Sequence, residues 1–74
     1  MKPIHEMKYL QLGLKIAYYR KLKGLTQEQL AEYLNVSNRT VSRWETGETI
    51  PNIDTLKQLS KYFDVSSLYS KIPS

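Results

Sequence analysis

Apolar residues recur at helical intervals along nearly the whole chain, and no stretch alternates apolar and polar positions convincingly enough to argue for a strand. Leu12, Ile16 and Tyr19 share the inward side of a helix predicted over residues 8–23. Gly24 fits the left-handed position that commonly ends a helix, and Leu25 supplies the apolar contact that accompanies such an end. A second helix opens at Thr26. Gln29 completes a capping box there, its amide donating to the threonine hydroxyl while its side chain reaches back to the Thr26 amide. Leu30, Ala31 and Leu34 give this helix its apolar face. Ser37 is a good N-cap for a third helix, which buries Val41 and part of Trp44 and ends at Gly47. Pro51 closes the next loop, Asn52 caps a fourth helix, and Leu56, Leu59 and Phe63 form its core-facing stripe. Ser66 is placed to cap a short fifth helix carrying Leu68 and Tyr69. Residues 1–7 read as a lead-in, with Pro3 suited to a first turn and His5 and Glu6 solvated. The pattern predicts an all-α, compact five-helix domain without internal repeat or linker.

The junction of the second and third helices is the most constrained point. Only Asn35 and Val36 separate Leu34 from Ser37, so the chain must reverse sharply. Such a turn needs a residue that tolerates positive φ. Asparagine is the best substitute for glycine, because its side-chain amide bonds locally. Ala31 is the small residue that lets two helices cross closely, and Val41 is the β-branched plug from the other side. Ala31, Asn35 and Val41, four and six residues apart, describe a helix-turn-helix.

Composition narrows the function. Seventy-four residues make one small domain near the lower limit for a self-sufficient core, and 41% hydrophobic residues mark an ordinary globular chain. With no cysteine there are no disulfides and no thiolate metal sites, so helix packing, aided by dimerisation, must supply stability. A net charge of +4 favours an anionic partner. No apolar run approaches a membrane span and no signal-peptide pattern opens the chain, which points to a cytoplasmic protein with no membrane role. His5 is the single histidine, and no carboxylate pair, nucleophile–base set or glycine-rich phosphate loop is visible, so an enzyme is not expected, nor a metal or cofactor.

One segment departs from ordinary surface chemistry. From Asn35 to Trp44 there is no acidic residue, while two arginines, two asparagines, two serines and a threonine crowd together. A solvated helix face usually mixes both signs of charge. The plain reading is a polar face in water; the functional reading is a surface that meets polyphosphate, where a carboxylate would be repelled.

The order of these features resembles the repressor/Cro-type helix-turn-helix family, also called XRE-like, whose members bind bacterial and phage operators. The matching segments are LGLKIAYYRKLKGLTQEQLAEYLNVSNRTVSRWETGETIP and LKQLSKYFDVSSLY, which place the family domain at residues 12–69, a lead-in at 1–11 and a tail at 70–74. Asn35 stands where the family usually has glycine. The resemblance implies that a recognition helix over 37–45 enters the DNA major groove, which is wide enough to admit it. It assigns base reading to Asn38, Arg39 and Arg43; arginine fits the two acceptors of guanine and asparagine the donor–acceptor edge of adenine. Ser37, Thr40 and Ser42 share the outward face, the first two short enough to reach phosphate or a thymine methyl. The resemblance puts Gln27 on a phosphate at the positive end of the second helix, against ordinary first-turn solvation. Thr46 and Thr49 are placed for backbone oxygens, and Lys23 either joins them or stays solvated.

Arg20 and Glu45 occupy positions that form an ion pair in this family, tying the first helix to the end of the third; it is read as partly buried rather than exposed. Glu28 and Glu32 are expected to face away from DNA, and the six tyrosines to cover core edges rather than stack on bases. Leu68, Tyr69 and Ile72 suit either a dimer contact or the completion of the core. The function implied is sequence-specific binding of double-stranded DNA by a transcriptional regulator, in its simplest form a repressor, acting as a homodimer. An antitoxin that also binds its own promoter is the alternative, and a protein partner or a separate effector domain is compatible with either.

Overall fold

A computed structural model describes residues 6–65 and Leu68, with side chains described from Leu10 onward. Its elements are α1 (Glu6–Leu22), α2 (Gln27–Leu34), α3 (Asn38–Thr46) and α4 (Ile53–Phe63), with no strand among the described residues. α1 starts at Glu6, two residues before the predicted start and inside the expected lead-in. Pro3, the nearest helix breaker, lies further upstream, and an acidic residue suits a first helical turn.

Short polar side chains start the later helices. Thr26 accepts from the Gln29 amide at 3.0 Å while the Gln29 side chain accepts from the Thr26 amide at 2.8 Å. Ser37 accepts from the Thr40 amide at 3.0 Å, and Asn52 from the Thr55 amide at 2.9 Å. All four helices end in one hydrogen-bonded turn, the Schellman arrangement, in which a left-handed residue lets two amides fold back onto the last carbonyls. The left-handed residues are Gly24, Asn35, Gly47 and Asp64, with φ of 74°, 60°, 86° and 60°. The residue after each donates five positions back: Leu25 to Arg20, Val36 to Ala31, Glu48 to Arg43 and Val65 to Ser60, at 2.9–3.1 Å. Leu25, Val36 and Val65 then pack against the core.

That core unites Ile16 of α1, Leu30, Ala31 and Leu34 of α2, Val41 and Trp44 of α3, and Leu59 and Phe63 of α4, with Leu68 completing it. Leu12 and Tyr19 are only half-buried at its edge. The expected fifth helix is not found among the described residues: Leu68 lies in a turn, while Ser66, Tyr69 and Ile72 fall outside the description. A helix confined to a few residues after Val65 would form few internal bonds to offset its nucleation, whereas burying Leu68 needs only a turn.

α3 packs against both α1 and α2. Its approach to α1 is set by two glycines. A Cβ at Gly13 would overlap the Trp44 carbonyl oxygen and stand 2.9 Å from that of Glu45. A Cβ at Gly47 would lie 2.9 Å from the Leu10 Cα, in addition to the strain its positive φ would impose on a side chain. The second turn of α1 thus meets the end of α3 backbone to backbone.

Five rings continue from this core across α1, α2 and α4. Tyr18 meets Tyr19 edge-on, Tyr19 and Tyr62 flank Phe63, and Tyr62 stacks on Tyr33 with centroids 3.9 Å apart. These tyrosines are occupied with one another, and the side chains of Tyr9 and Tyr69 fall outside the description. Ser60 is an exception to good polar accounting, since its hydroxyl is buried with no hydrogen-bond partner among the described residues. An unsatisfied buried hydroxyl is unfavourable, and alanine is the better helix former. Ser60→Ala is therefore expected to hold or raise stability by up to about 1 kcal/mol, read from the urea midpoint; a loss of that size would show that the hydroxyl stabilises the fold.

Candidate nucleic-acid interface

The two faces of α3 divide cleanly. Val41 and Trp44 point into the core, while Asn38, Arg39 and Arg43 are exposed and Thr40 and Ser42 are half-buried at the margin. No side chain of the first turn is acidic, although the helix dipole would favour one there. Ser37 and Thr40 have hydroxyl oxygens 2.8 Å apart, so part of their bonding capacity is used at the cap itself. Asn35, with φ 60° and ψ 44°, makes the turn into this helix, and the neighbouring Ala31 is buried in the core.

The angle at which α3 is held depends on one carboxylate. Glu45 Oε2 lies 2.6 Å from Arg20 Nε, and Oε1 accepts from Arg20 Nη2 at 3.0 Å. A third donor is the Gln27 side-chain amide, at 2.9 Å from Oε1. Arg20 also donates through Nη1 to the Leu25 carbonyl at 2.7 Å. With side-chain exposures of 10% and 7%, the pair is shielded from water, and the two-pronged geometry fixes direction as well as distance. One node therefore binds the end of α1, the turn after it, the start of α2 and the last turn of α3. Gln27, half-buried, is part of that node through its side-chain nitrogen.

The remaining candidates lie around the same helix. Thr46 is exposed, with its hydroxyl donating to the Arg43 carbonyl at 3.2 Å and lying 3.4 Å from Glu48 Oε2. Thr49 is exposed in the loop that follows. Lys23 carries its ammonium 5.0 Å above the Tyr62 ring, a cation–π contact on the aromatic row. Glu28 and Glu32 are exposed on α2. Among the described residues, no group of three or more acidic, histidine or cysteine side chains is placed to hold a metal ion, and no helix is long and apolar enough to cross a membrane.

These features define a repressor/Cro-type helix-turn-helix domain, and a family model described as helix-turn-helix matches residues 16–69: the chain belongs to that family. It is 46% identical over 57 residues to the HTH-type transcriptional activator BcrR of Enterococcus faecalis, covering 77% of this chain and 28% of that protein. It is 37% identical over 60 residues to the HTH-type transcriptional regulator ImmR of Bacillus subtilis (strain 168), covering 81% of this chain and 47% of that one. The chain thus spans less than half the length of either relative. Its fold is similar to that of the restriction-modification controller protein C.AhdI from Aeromonas hydrophila, with a TM-score of 0.74 at 23% identity over 86% of this chain and 93% of that one.

Three participants escape a reading of the sequence. Gly13 sits inside a helix, where glycine is unfavourable by about 1 kcal/mol relative to alanine; that mismatch is the signal of a close approach. The bond from Gln27 to Glu45 joins residues 18 positions apart and leaves no local trace. Glu48 returns a carboxylate to the edge of α3, facing Arg43, and only the geometry of the Gly47 turn reveals it.

Proposed function

We propose that this domain binds double-stranded DNA sequence-specifically and regulates transcription, with α3 in the major groove. The observation that carries the proposal is the exposed face of α3, free of acid from Asn38 to Trp44, held at a fixed angle by the buried Arg20–Glu45 pair. Asn38, Arg39 and Arg43 are the base readers, because each is free of the core and long enough to reach a base edge. Ser37, Thr40, Ser42, Thr46 and Thr49 meet the sugar–phosphate backbone at the margins. Gln27 positions a phosphate while bonded to Glu45, and Lys23 adds positive charge nearby. Such backbone contacts set register without reading sequence.

The domain acts as a dimer on a two-fold-related operator, with half-sites about one helical turn, roughly 34–36 Å, apart. It works where the cell keeps its DNA. Simple occupancy suffices for repression, whereas activation needs a further contact with the transcription machinery. Selection of bound sequences from random duplexes tests the whole reading, since it reports specificity, symmetry and spacing together. Arg39→Ala and Arg43→Ala should each relax preference at one base pair per half-site, removing about 1–3 kcal/mol of discrimination with helix content unchanged. Undiminished preference in both variants would refute the assignment.

A further inference from the structure

We infer that Glu48 is a specificity-determining residue that positions Arg43 for base reading; the inference rests on the DNA-binding role proposed above. The four helix ends supply the comparison. In three of them the residue after the left-handed position is apolar and packs on the core: Leu25, Val36 and Val65. In the fourth it is Glu48, and the residue it folds back over is Arg43. A turn that elsewhere seats an apolar side chain here returns a carboxylate to a helix edge otherwise free of acid.

The geometry brings the two side chains together. The Glu48 amide donates to the Arg43 carbonyl at 2.9 Å, so the carboxylate starts from backbone tied to Arg43. The Thr46 hydroxyl lies between them, 3.2 Å from the Arg43 carbonyl oxygen and 3.4 Å from Glu48 Oε2. Glu48 Oε1 lies 3.8 Å from Arg43 Nε, with side-chain exposures of 59% and 46%. A pair this exposed contributes little to stability. Its effect is instead directional. A carboxylate at Nε leaves the two terminal guanidinium nitrogens for a two-pronged contact with guanine O6 and N7. It also discourages Arg43 from swinging onto a phosphate, where it would bind any sequence equally. The carboxylate itself is repelled by phosphates, which lowers affinity for non-cognate DNA.

The test measures base preference and non-cognate affinity for the unsubstituted chain, Glu48→Ala, Glu48→Gln, Arg43→Ala and the Glu48→Ala/Arg43→Ala pair. Glu48→Ala should weaken, by about fivefold, the preference at the one base pair whose preference Arg43→Ala abolishes. Its affinity for non-cognate duplex should rise severalfold, with thermal midpoint unchanged. Glu48→Gln loses the charge that draws Nε at 3.8 Å, so it should weaken that preference nearly as much as Glu48→Ala while non-cognate affinity also rises. In the Arg43→Ala background, Glu48→Ala should no longer alter any base preference. Raised affinity on all sequences with the preference intact in Glu48→Ala would make Glu48 a mere repulsive charge and overturn the inference, as would no change in either quantity. Loss of preference at base pairs other than that of Arg43 would overturn it too. If the unsubstituted chain shows no sequence preference at all, the DNA-binding proposal falls together with it, an outcome distinct from all the others.

Discussion

Glu45→Ala is expected to remove about 3–5 kcal/mol of folding stability, a large share of what so small a domain has. The carboxylate accepts from three side-chain nitrogens, two on Arg20 and one on Gln27. Removing it strands the guanidinium in a place water hardly reaches, with the Leu25 carbonyl as its one remaining partner among the described residues. Small domains have roughly 5–15 kcal/mol in total, so the urea midpoint should fall steeply and operator binding with it. Arg20→Ala should cost a similar amount, and the double variant less than the sum of the two, because the second change removes a charge the first left unpaired. A loss below about 1 kcal/mol for Glu45→Ala would show that the pair behaves as if it were in open water.

Gly13→Ala should also destabilise, and for a different reason. On intrinsic propensity alanine ought to stabilise the middle of a helix by about 1 kcal/mol. At this position the new methyl meets the carbonyl oxygens of Trp44 and Glu45, backbone atoms that cannot swing aside as a side-chain tip would. Overpacking of this kind costs about 1–3 kcal/mol or more, and relief requires α3 to move away from α1. The expected result is a lower unfolding midpoint, together with operator binding that weakens beyond what the lost stability explains, measured at a temperature where the variant is still folded. A Gly13→Ala chain more stable than the parent would mean that the two helices have room to part without consequence.

Much of this architecture can be read from the chain because it is written locally. Thr26 with Gln29, Ser37 and Asn52 act within a single turn, and the left-handed residues Gly24, Asn35 and Gly47 sit directly after apolar helical patterns. Asp64 is harder to anticipate, since an aspartate past Phe63 has no strong preference for ending a helix. The sides of α3 are legible for the same local reason: Val41 and Trp44 fall one way and Asn38, Arg39 and Arg43 the other. What stays hidden depends on distance in sequence. Nothing near Gly13 announces that Trp44 will lie against it, and nothing near Gln27 points to Glu45. Leu68 misleads for the opposite reason, because an apolar residue two positions after a plausible cap suits a helix as well as the turn in which it lies. The pairing of Arg20 with Glu45 is accessible only through family resemblance, although its shielding and its third donor belong to this structure.

The residues that hold the fold and those proposed above to read bases are almost separate sets. Asn38 and Arg39 contribute nothing to the buried cluster, and Arg43 is tethered only through exposed partners. Mutational drift at these sites is therefore cheap, and new target preferences can arise by single substitutions without passing through unfolded intermediates. A laboratory library randomised at 38, 39 and 43 should accordingly yield mostly soluble, cooperatively folding proteins, a practical starting point for retargeting.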